Sequence, residues 1–235
     1  VVPDTCMDII FRPSCSSPDG VESCFCGISD APFSSVKTAP SFGVRFYFWS
    51  AGMFADAPLS GSFNAFEDAP RRFPSFCREM EAWFSRHGWD APPARRQAAA
   101  EGILLRLLSR DASCRTVRQA AYTLLRSGGT ADLGTLSMDA GVGMRQLERL
   151  LDREAGVSPK CLARMVRYQC VWQELLAGER VLDIVARYRF TDQSHLLRDF
   201  KRFHTMTPRH ALDAARNVAF LQDAVPFSGY TETHL

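Results

Sequence analysis

Side chains that can hydrogen-bond to bases and phosphates are concentrated in FTDQSHLLRDFKRFHTMTP, residues 190–208. The apolar Leu196, Phe200 and Phe203 are spaced i, i+4 and i+7, which predicts one buried face of a helix. About half a turn away, that helix would expose Ser194, Arg198 and Lys201, with Arg202 beside them and Gln193 and His195 in the first turn. Either this face serves only solubility, or it binds a partner through side chains suited to base edges and phosphates.

The same pattern occurs a second time upstream. Shifted by 49 residues, the chain matches itself, with Leu147 on Leu196, Leu151 on Phe200, Arg149 on Arg198, and Val157–Lys160 on Met206–Arg209. Further upstream, with a shift of 48, Leu136, Met138 and Val142 align with Ile184, Ala186 and Phe190, so the second copy has one more residue in its turn. Each copy predicts a helix, a short turn and a second helix, followed by a Ser/Thr–Pro pair that starts the next helix. The chain therefore contains a predicted tandem helix-turn-helix.

One long helix is predicted between the two copies. It runs over Pro159–Ala177 and is ended by Gly178. At 1.5 Å per residue it spans about 28 Å. That length can hold two recognition helices on one face of a duplex, about 34 Å or one DNA turn apart.

The amino-acid composition of the chain before the repeat differs from that of the repeat itself. Residues 1–68 are rich in Phe, Val, Ser, Pro and Gly, and CMDIIF and FGVRFYFW have the composition of strands. Residues 71–87, 93–110 and 114–127 have helical spacing. We therefore predict an α+β fold class, with a β-rich N-terminal domain followed by an all-α domain of two helix-turn-helix units joined by a long linker helix.

The predicted domain boundaries follow these changes in composition and periodicity. They give a β-rich sensing or dimerisation domain at 1–70, a helical linker at 71–113, the tandem helix-turn-helix domain at 114–216 and a tail at 217–235. The chain opens on VVPDTCMDIIF, which is typical of the middle of a domain. We therefore expect the N-terminal domain to be shortened at its start.

Charge is distributed unevenly along the chain. The formal net charge is only +2, but residues 115–216 carry 17 Lys and Arg against 11 Asp and Glu, a net of +6, and the remainder carries −4. A basic C-terminal part favours a polyanionic partner for that part alone. No apolar run approaches the roughly 18 residues of a membrane span, and no signal segment opens the chain. These observations predict a cytoplasmic protein with no membrane partner.

Residues 115–215 resemble the C-terminal DNA-binding domain of AraC/XylS-type transcription regulators. The segments that carry the resemblance are GVGMRQLERLLDREAGVSPKCLARMVRYQ and FTDQSHLLRDFKRFHTMTPRHAL. PDTCMDIIF and GVRFYF resemble a small β-rich domain found ahead of such regulators. Thr5 stands where that domain usually has Gly, and Phe48 and Trp49 stand where it tends to have Pro and Gly.

The resemblance implies a DNA-binding transcription regulator that is not an enzyme and needs no cofactor. Its partner would be double-stranded DNA, with RNA polymerase, a small-molecule effector and a second copy of the chain as further candidates. Base contacts fall on Arg145, Gln146, Arg149, Gln193, Ser194, His195 and Arg198. We assign phosphate contacts, which position the protein without specifying sequence, to Lys160, Lys201, Arg202 and Arg209.

Supporting residues can be assigned in the first unit as well. We expect Met138 and Val142 to pack its first helix and Leu147 and Leu151 to bury its second. Gly141 supplies the permissive backbone of the turn. The second unit has Arg189 at the corresponding turn, at a cost on the order of 1 kcal/mol if φ is positive there. Gly143 replaces the usual Ser/Thr-like cap of the first recognition helix, at a cost of a few tenths of a kcal/mol.

The eight cysteines support an alternative. Residues 11–15, FRPSC, resemble the zinc segment of Ada-type methyl-acceptor DNA repair proteins, which also carry an AraC-like domain. Such a site needs four thiolates around one Zn²⁺, and here the candidates are Cys6, Cys15, Cys24 and Cys26. A metal or redox sensor could use the same four. A third class, a structural or interaction module, would show no DNA specificity.

Overall fold

A computed structural model describes residues 2–14, 20–33, 40–108 and 112–217. Its N-terminal part is a four-stranded antiparallel sheet in the order β3-β1-β2-β4. The strands are β1 (Cys6–Pro13), β2 (Val21–Cys26), β3 (Phe42–Tyr47) and β4 (Phe66–Asp68). The two predicted strands are confirmed within β1 and β3, whereas β2 and β4 had no clear signal in the sequence.

One face of this sheet packs against a helix. Burial alternates along β1, with Met7, Ile9 and Phe11 fully buried, as expected for a strand with one covered face. Helix α1 (Pro74–His87) covers them, and the rings of Phe11 and Phe76 lie 5.8 Å apart, edge to face. The sheet and α1 therefore share one core. The opposite face carries the Asp8–Arg45 ion pair, with Arg45 Nε 2.9 Å from Asp8 Oδ1.

After the sheet, the described residues are mainly helical, as predicted. The elements are α2 (Pro93–Leu107), α3 (Ala112–Arg126), α4 (Leu133–Asp139), α5 (Met144–Ala155), α6 (Pro159–Leu176), α7 (Val181–Arg187), α8 (Gln193–His204) and α9 (Pro208–Asn217). Helices α4 and α5 form the first helix-turn-helix unit, and α7 and α8 form the second. The long helix between them, α6, starts at an N-cap where Ser158 Oγ accepts a hydrogen bond from Cys161 N.

The buried faces of the two units correspond. Leu147 and Leu151 on α5 are buried, and so are Leu196, Phe200 and Phe203 on α8. The expectation for Met138 was wrong: its side chain is 74% exposed. Helix α4 has only seven residues, and its buried residues are Leu136 and Ser137. Met138 follows them on the side of the helix that faces solvent. Ala186, the counterpart of Met138 in α7, is exposed as well, so the repeat is preserved in three dimensions.

Both predicted departures in the turns are present. Gly141 has φ 68° and Arg189, its counterpart, has φ 54°. The second turn therefore holds an arginine in the left-handed region, which costs about 1 kcal/mol. Helix α5 begins at Gly143 without a side-chain cap, whereas α8 is capped by Asp192, whose Oδ1 accepts a hydrogen bond from His195 N at 2.7 Å.

A buried aromatic cluster joins α6 to α8. The Tyr168 ring lies 4.9 Å from that of Phe203, and His204 stacks on Phe200 at 4.9 Å. The Tyr168 hydroxyl and His204 Nδ1 are 2.7 Å apart. Burial raises the pKa of Tyr168, so the phenol is neutral and donates to the imidazole. Burial also lowers the pKa of His204, which favours the neutral acceptor.

The sheet domain contacts both helix-turn-helix units directly. Leu59 N donates to Arg153 O at 2.7 Å, at the end of α5. Gly156, with φ 68°, ends α5 so close to this segment that an added Cβ would lie 2.6 Å from Leu59 O. On the other side, Asp30 Oδ2 lies 3.1 Å from a guanidinium nitrogen of Arg202 on α8. The N-terminal part is thus packed against the helical repeat.

In the part of the chain that the structure describes, every helix is too short or too polar to cross a membrane.

Two glycines of the sheet domain test how tightly it is packed. A Cβ on Gly27 would lie 1.9 Å from the backbone oxygen of Ser62, whereas one on Gly43 meets nothing within 4 Å. We expect Gly27→Ala to lower the free energy of unfolding by about 1–3 kcal/mol through overpacking. Gly43→Ala, the matched control, should leave it unchanged or raise it by up to about 1 kcal/mol. Urea denaturation compares the two, and equal effects would contradict this packing.

The lowered pKa of His204 predicts pH-dependent stability. Below its ordinary pKa of 6.5, the unfolded chain takes up a proton more readily than the folded chain. The free energy of unfolding should therefore fall as the pH drops from about 7 through the folded pKa, with this residue contributing at most about 1.4 kcal/mol per pH unit. His204→Phe cannot take up the proton and should flatten this dependence. Denaturation at pH 7, 6 and 5 measures both chains, and an unchanged slope in the variant would assign the dependence elsewhere.

Candidate nucleic-acid interface

Helix α5 exposes the predicted base-contacting side chains of the first unit. Arg145, Gln146 and Arg149 are all exposed, on the side away from buried Leu147 and Leu151. Met144, the first residue of the helix, is 54% exposed. Recognition helices contact base edges mainly through their N-terminal residues. An arginine there can grip guanine O6 and N7, and a glutamine can grip adenine N6 and N7.

Helix α8 presents the equivalent face of the second unit. Gln193, Ser194 and Arg198 are exposed, and His195 is half-buried at the edge of the face. The imidazole of His195 packs edge-to-face on Phe190, with ring centroids 5.2 Å apart. Its Nδ1 lies 3.4 Å from Thr191 Oγ1. These contacts hold the ring at the start of the helix, while Arg198 projects one turn further along.

The four predicted phosphate-contacting residues are exposed, but their surroundings differ. Lys160 lies in the first turn of α6, Lys201 in the last turn of α8 and Arg209 in the first turn of α9. Arg202 pairs with Asp30 of the sheet domain. Asp30 is fixed in turn by Asn64, whose amide nitrogen donates to Asp30 Oδ1 at 2.9 Å. This ion pair could not be predicted from the sequence, because its two residues are 172 positions apart.

A basic face on α6 was missed at the level of sequence. Lys160, Arg164 and Arg167 are spaced i, i+4 and i+7, so they lie on one side of the helix. Arg164 and Arg167 both bind Asp199 of α8, at 2.5 and 2.9 Å. Partial burial would raise the pKa of Asp199, but hydrogen bonding and the charges of the two guanidinium groups outweigh it and hold the pKa below its ordinary value. The i, i+4, i+7 spacing of these basic residues could have predicted this face from the sequence alone.

Of the four candidate zinc-binding cysteines, Cys6, Cys24 and Cys26 lie on the sheet. The strand register puts Cys26 opposite Asp8 and Cys24 opposite Ile10, on the outer face that also carries Cys6. A hydrogen bond from Cys26 lowers the pKa of Cys24 to about 6. The described residues hold no cluster of three or more His, Cys, Asp or Glu arranged for a metal ion. Cys15 falls outside the described residues, so the four-cysteine site stays a prediction.

Comparison with protein families is consistent with this geometry. Residues 136–214 match the model of a family described as a helix-turn-helix domain, and the match runs from α4 into α9. It covers about a third of the chain and includes both units and α6. Neither the curated proteins nor the solved structures gave a match. Residues 136–214 are therefore an AraC-type helix-turn-helix domain, and the match supports DNA-binding transcription regulation of the AraC/XylS type.

Proposed function

We propose that the chain recognises a specific DNA sequence by placing α5 and α8 in two successive major grooves of one duplex. The observation that carries this proposal is the correspondence between the two exposed faces. Arg149 and Arg198 occupy equivalent positions on helices whose opposite sides are buried in equivalent ways. Two inert helix pairs would have no reason to repeat an outward arginine in register.

The dimensions of α6 support the same reading. Its 18 residues span about 27 Å. It contacts α5 of the first unit and α7 and α8 of the second, so the separation of the units is set by a rigid element rather than by a flexible linker. That length suits two half-sites about one DNA turn apart.

Further parts of the proposal rest on the same resemblance. The sheet domain is proposed as residues 1–70, with sensing or dimerisation as its role, ahead of helical residues 71–113 and the DNA-binding domain at 114–216. Phe76, Met80 and Phe84 of α1 are buried in the core, so α1 packs on the sheet as well as following it along the chain. RNA polymerase, a small-molecule effector and a second copy remain proposed partners.

Selection of binding sites from random duplex DNA at near-physiological salt tests the proposal. Enriched sites should contain two boxes about one helical turn apart. Binding that persists without any enriched sequence would contradict sequence recognition. Metal analysis of the same purified protein tests the cysteine alternative independently, because four-thiolate chemistry requires one Zn²⁺ per chain.

Arg198 and Lys201 separate base recognition from phosphate binding. Arg198→Ala should relax the base preference at one position of the selected site, at a cost of about 1–3 kcal/mol on the preferred base. Lys201→Ala should weaken selected and random DNA equally. Fluorescence anisotropy with both DNAs measures the two effects. Equal losses on specific and random DNA for both variants would show that this division of roles is wrong.

The Asp30–Arg202 ion pair predicts a restraint on DNA binding. If Arg202 contacts a phosphate, Asp30 competes for its guanidinium and also repels the duplex. Asp30→Asn should therefore raise affinity for selected and random DNA alike, by up to about fivefold, since exposed ion pairs contribute at most about 1 kcal/mol. Asp90→Asn, in the turn between α1 and α2, makes the same change of charge as a control. An Asp30→Asn affinity equal to that of the control would exclude the restraint.

A further inference from the structure

A cleft lies between the two helix-turn-helix units, with a volume of about 570 Å³. Its floor is the basic face of α6. One wall is the turn between α3 and α4, at residues 129–131, and the other is formed by the turn before α8 together with His195 and Asp199. The cleft is therefore built by all three parts of the DNA-binding domain.

Close packing of the first wall on α6 fixes the shape of the cleft. Gly129 has φ 72°, and an added Cβ would lie 2.2 Å from the backbone oxygen of Ala163 and 2.7 Å from Arg167 N. Only a residue without a side chain allows the turn to lie this close to α6. On the other side, the Arg167 guanidinium lies 4.5 Å above the Phe190 ring. Both walls are therefore held against the floor.

The charge of the cleft is strongly positive. Lys160, Arg164, Arg167 and Arg189 line it, and Asp199 is the carboxylate among the lining residues. Asp199 is already bound by Arg164 and Arg167, which fixes their guanidinium groups in place. Within the described part of the chain, Lys160 and Arg189 have no carboxylate partner. Two cations in this cleft are therefore left to bind an anion from outside.

Arg189 occupies a position where the backbone favours glycine. Its φ is 54°, and the corresponding residue of the first unit is Gly141 with φ 68°. A side chain retained in such a conformation at a site lined with charge suggests that the side chain has a role there. The turn also leads directly into α8, whose first residues are the proposed base contacts.

We propose that the cleft binds a phosphate of the DNA backbone between the two major grooves, with Arg189 and Lys160 as its ligands. This inference rests on the proposed function. Two helices in successive major grooves on one face of a duplex enclose a stretch of sugar-phosphate backbone between them. That stretch passes the space between the two units, where this cleft opens. The phosphate charge would be met by fixed guanidinium groups as well as by the two unpaired cations.

Substitution of Arg189 separates its role in binding from its effect on stability. Arg189→Gly should raise the melting temperature, because the backbone strain is relieved, while it weakens binding to selected and random duplex alike. The slope of log K against log salt should fall by about 1, as expected for the loss of one phosphate contact. Arg189→Ala should lose the same affinity without the gain in stability. Arg180→Ala, an exposed arginine outside the cleft, is the control and should change neither measurement.

Neutral backbone analogues locate the contact. Single phosphates of a selected site are replaced in turn by methylphosphonate, which removes the charge. The wild-type protein should lose affinity at one position between the two boxes, and Arg189→Ala should show no further loss at that position. If Arg189→Gly leaves the affinity and the salt slope unchanged, the inference is wrong. It is also wrong if Arg189→Ala loses as much affinity as the wild-type protein when the phosphate at that position is neutralised. Either result would leave the proposed function standing. Failure of the wild-type protein to bind duplex DNA would overturn the proposed function, and this inference with it.

Discussion

The geometry of the DNA-binding domain depends on the burial of one helix. Helix α6 contributes Leu162, Met165, Tyr168, Trp172 and Leu175 to the core, at exposures of 8% or less. Helix α5 of the first unit and helices α7 and α8 of the second pack against it, so neither unit can shift without exposing apolar surface to water. The separation of α5 and α8 is consequently a property of the core.

The same constraint explains why the sheet domain matters to the helical repeat. It contacts the end of α5 through Leu59, the middle of α6 through Thr5, whose hydroxyl lies 3.3 Å from Gln169 Oε1, and α8 through Asp30. These contacts reach both units and the helix between them. A change in the sheet domain therefore has direct physical routes to both α5 and α8, through packing at α5 and through charge at α8.

Sequence was informative where a periodic pattern coincided with burial. The 49-residue repeat located α5, α6 and α8, because the apolar spacing of a helix is set by what it must bury. It also located the strained Arg189, because a repeat shows which position of the turn needs a left-handed backbone. Met138 was misassigned because it is apolar and was therefore expected to be buried. A helix of seven residues buries only a narrow stripe, and Met138 lies outside it.

Features created by distant contacts were beyond that kind of inference. Strand β2 (VESCFC) shows little alternation, and its burial is decided by pairing with β1 and β4. The Asp30–Arg202 pair and the cleft over α6 bring together residues from separate elements, which only the folded chain reveals. The spacing of the basic residues on α6 can be read from the sequence. Which of them are paired can be seen only in the folded chain, where Asp199 of α8 binds Arg164 and Arg167.

The two exposed faces correspond through the repeat without being identical. Arg145 and Gln146 on α5 correspond to Ser194 and His195 on α8, and one helix begins with Met144 where the other begins with Gln193. In the arrangement proposed above, the two boxes of a binding site would differ in sequence, and the site would lack a dyad axis. A single chain would then lie along the duplex in one direction only. If the protein is bound ahead of a gene, the orientation of its site would decide whether the sheet domain lies on the upstream or the downstream side.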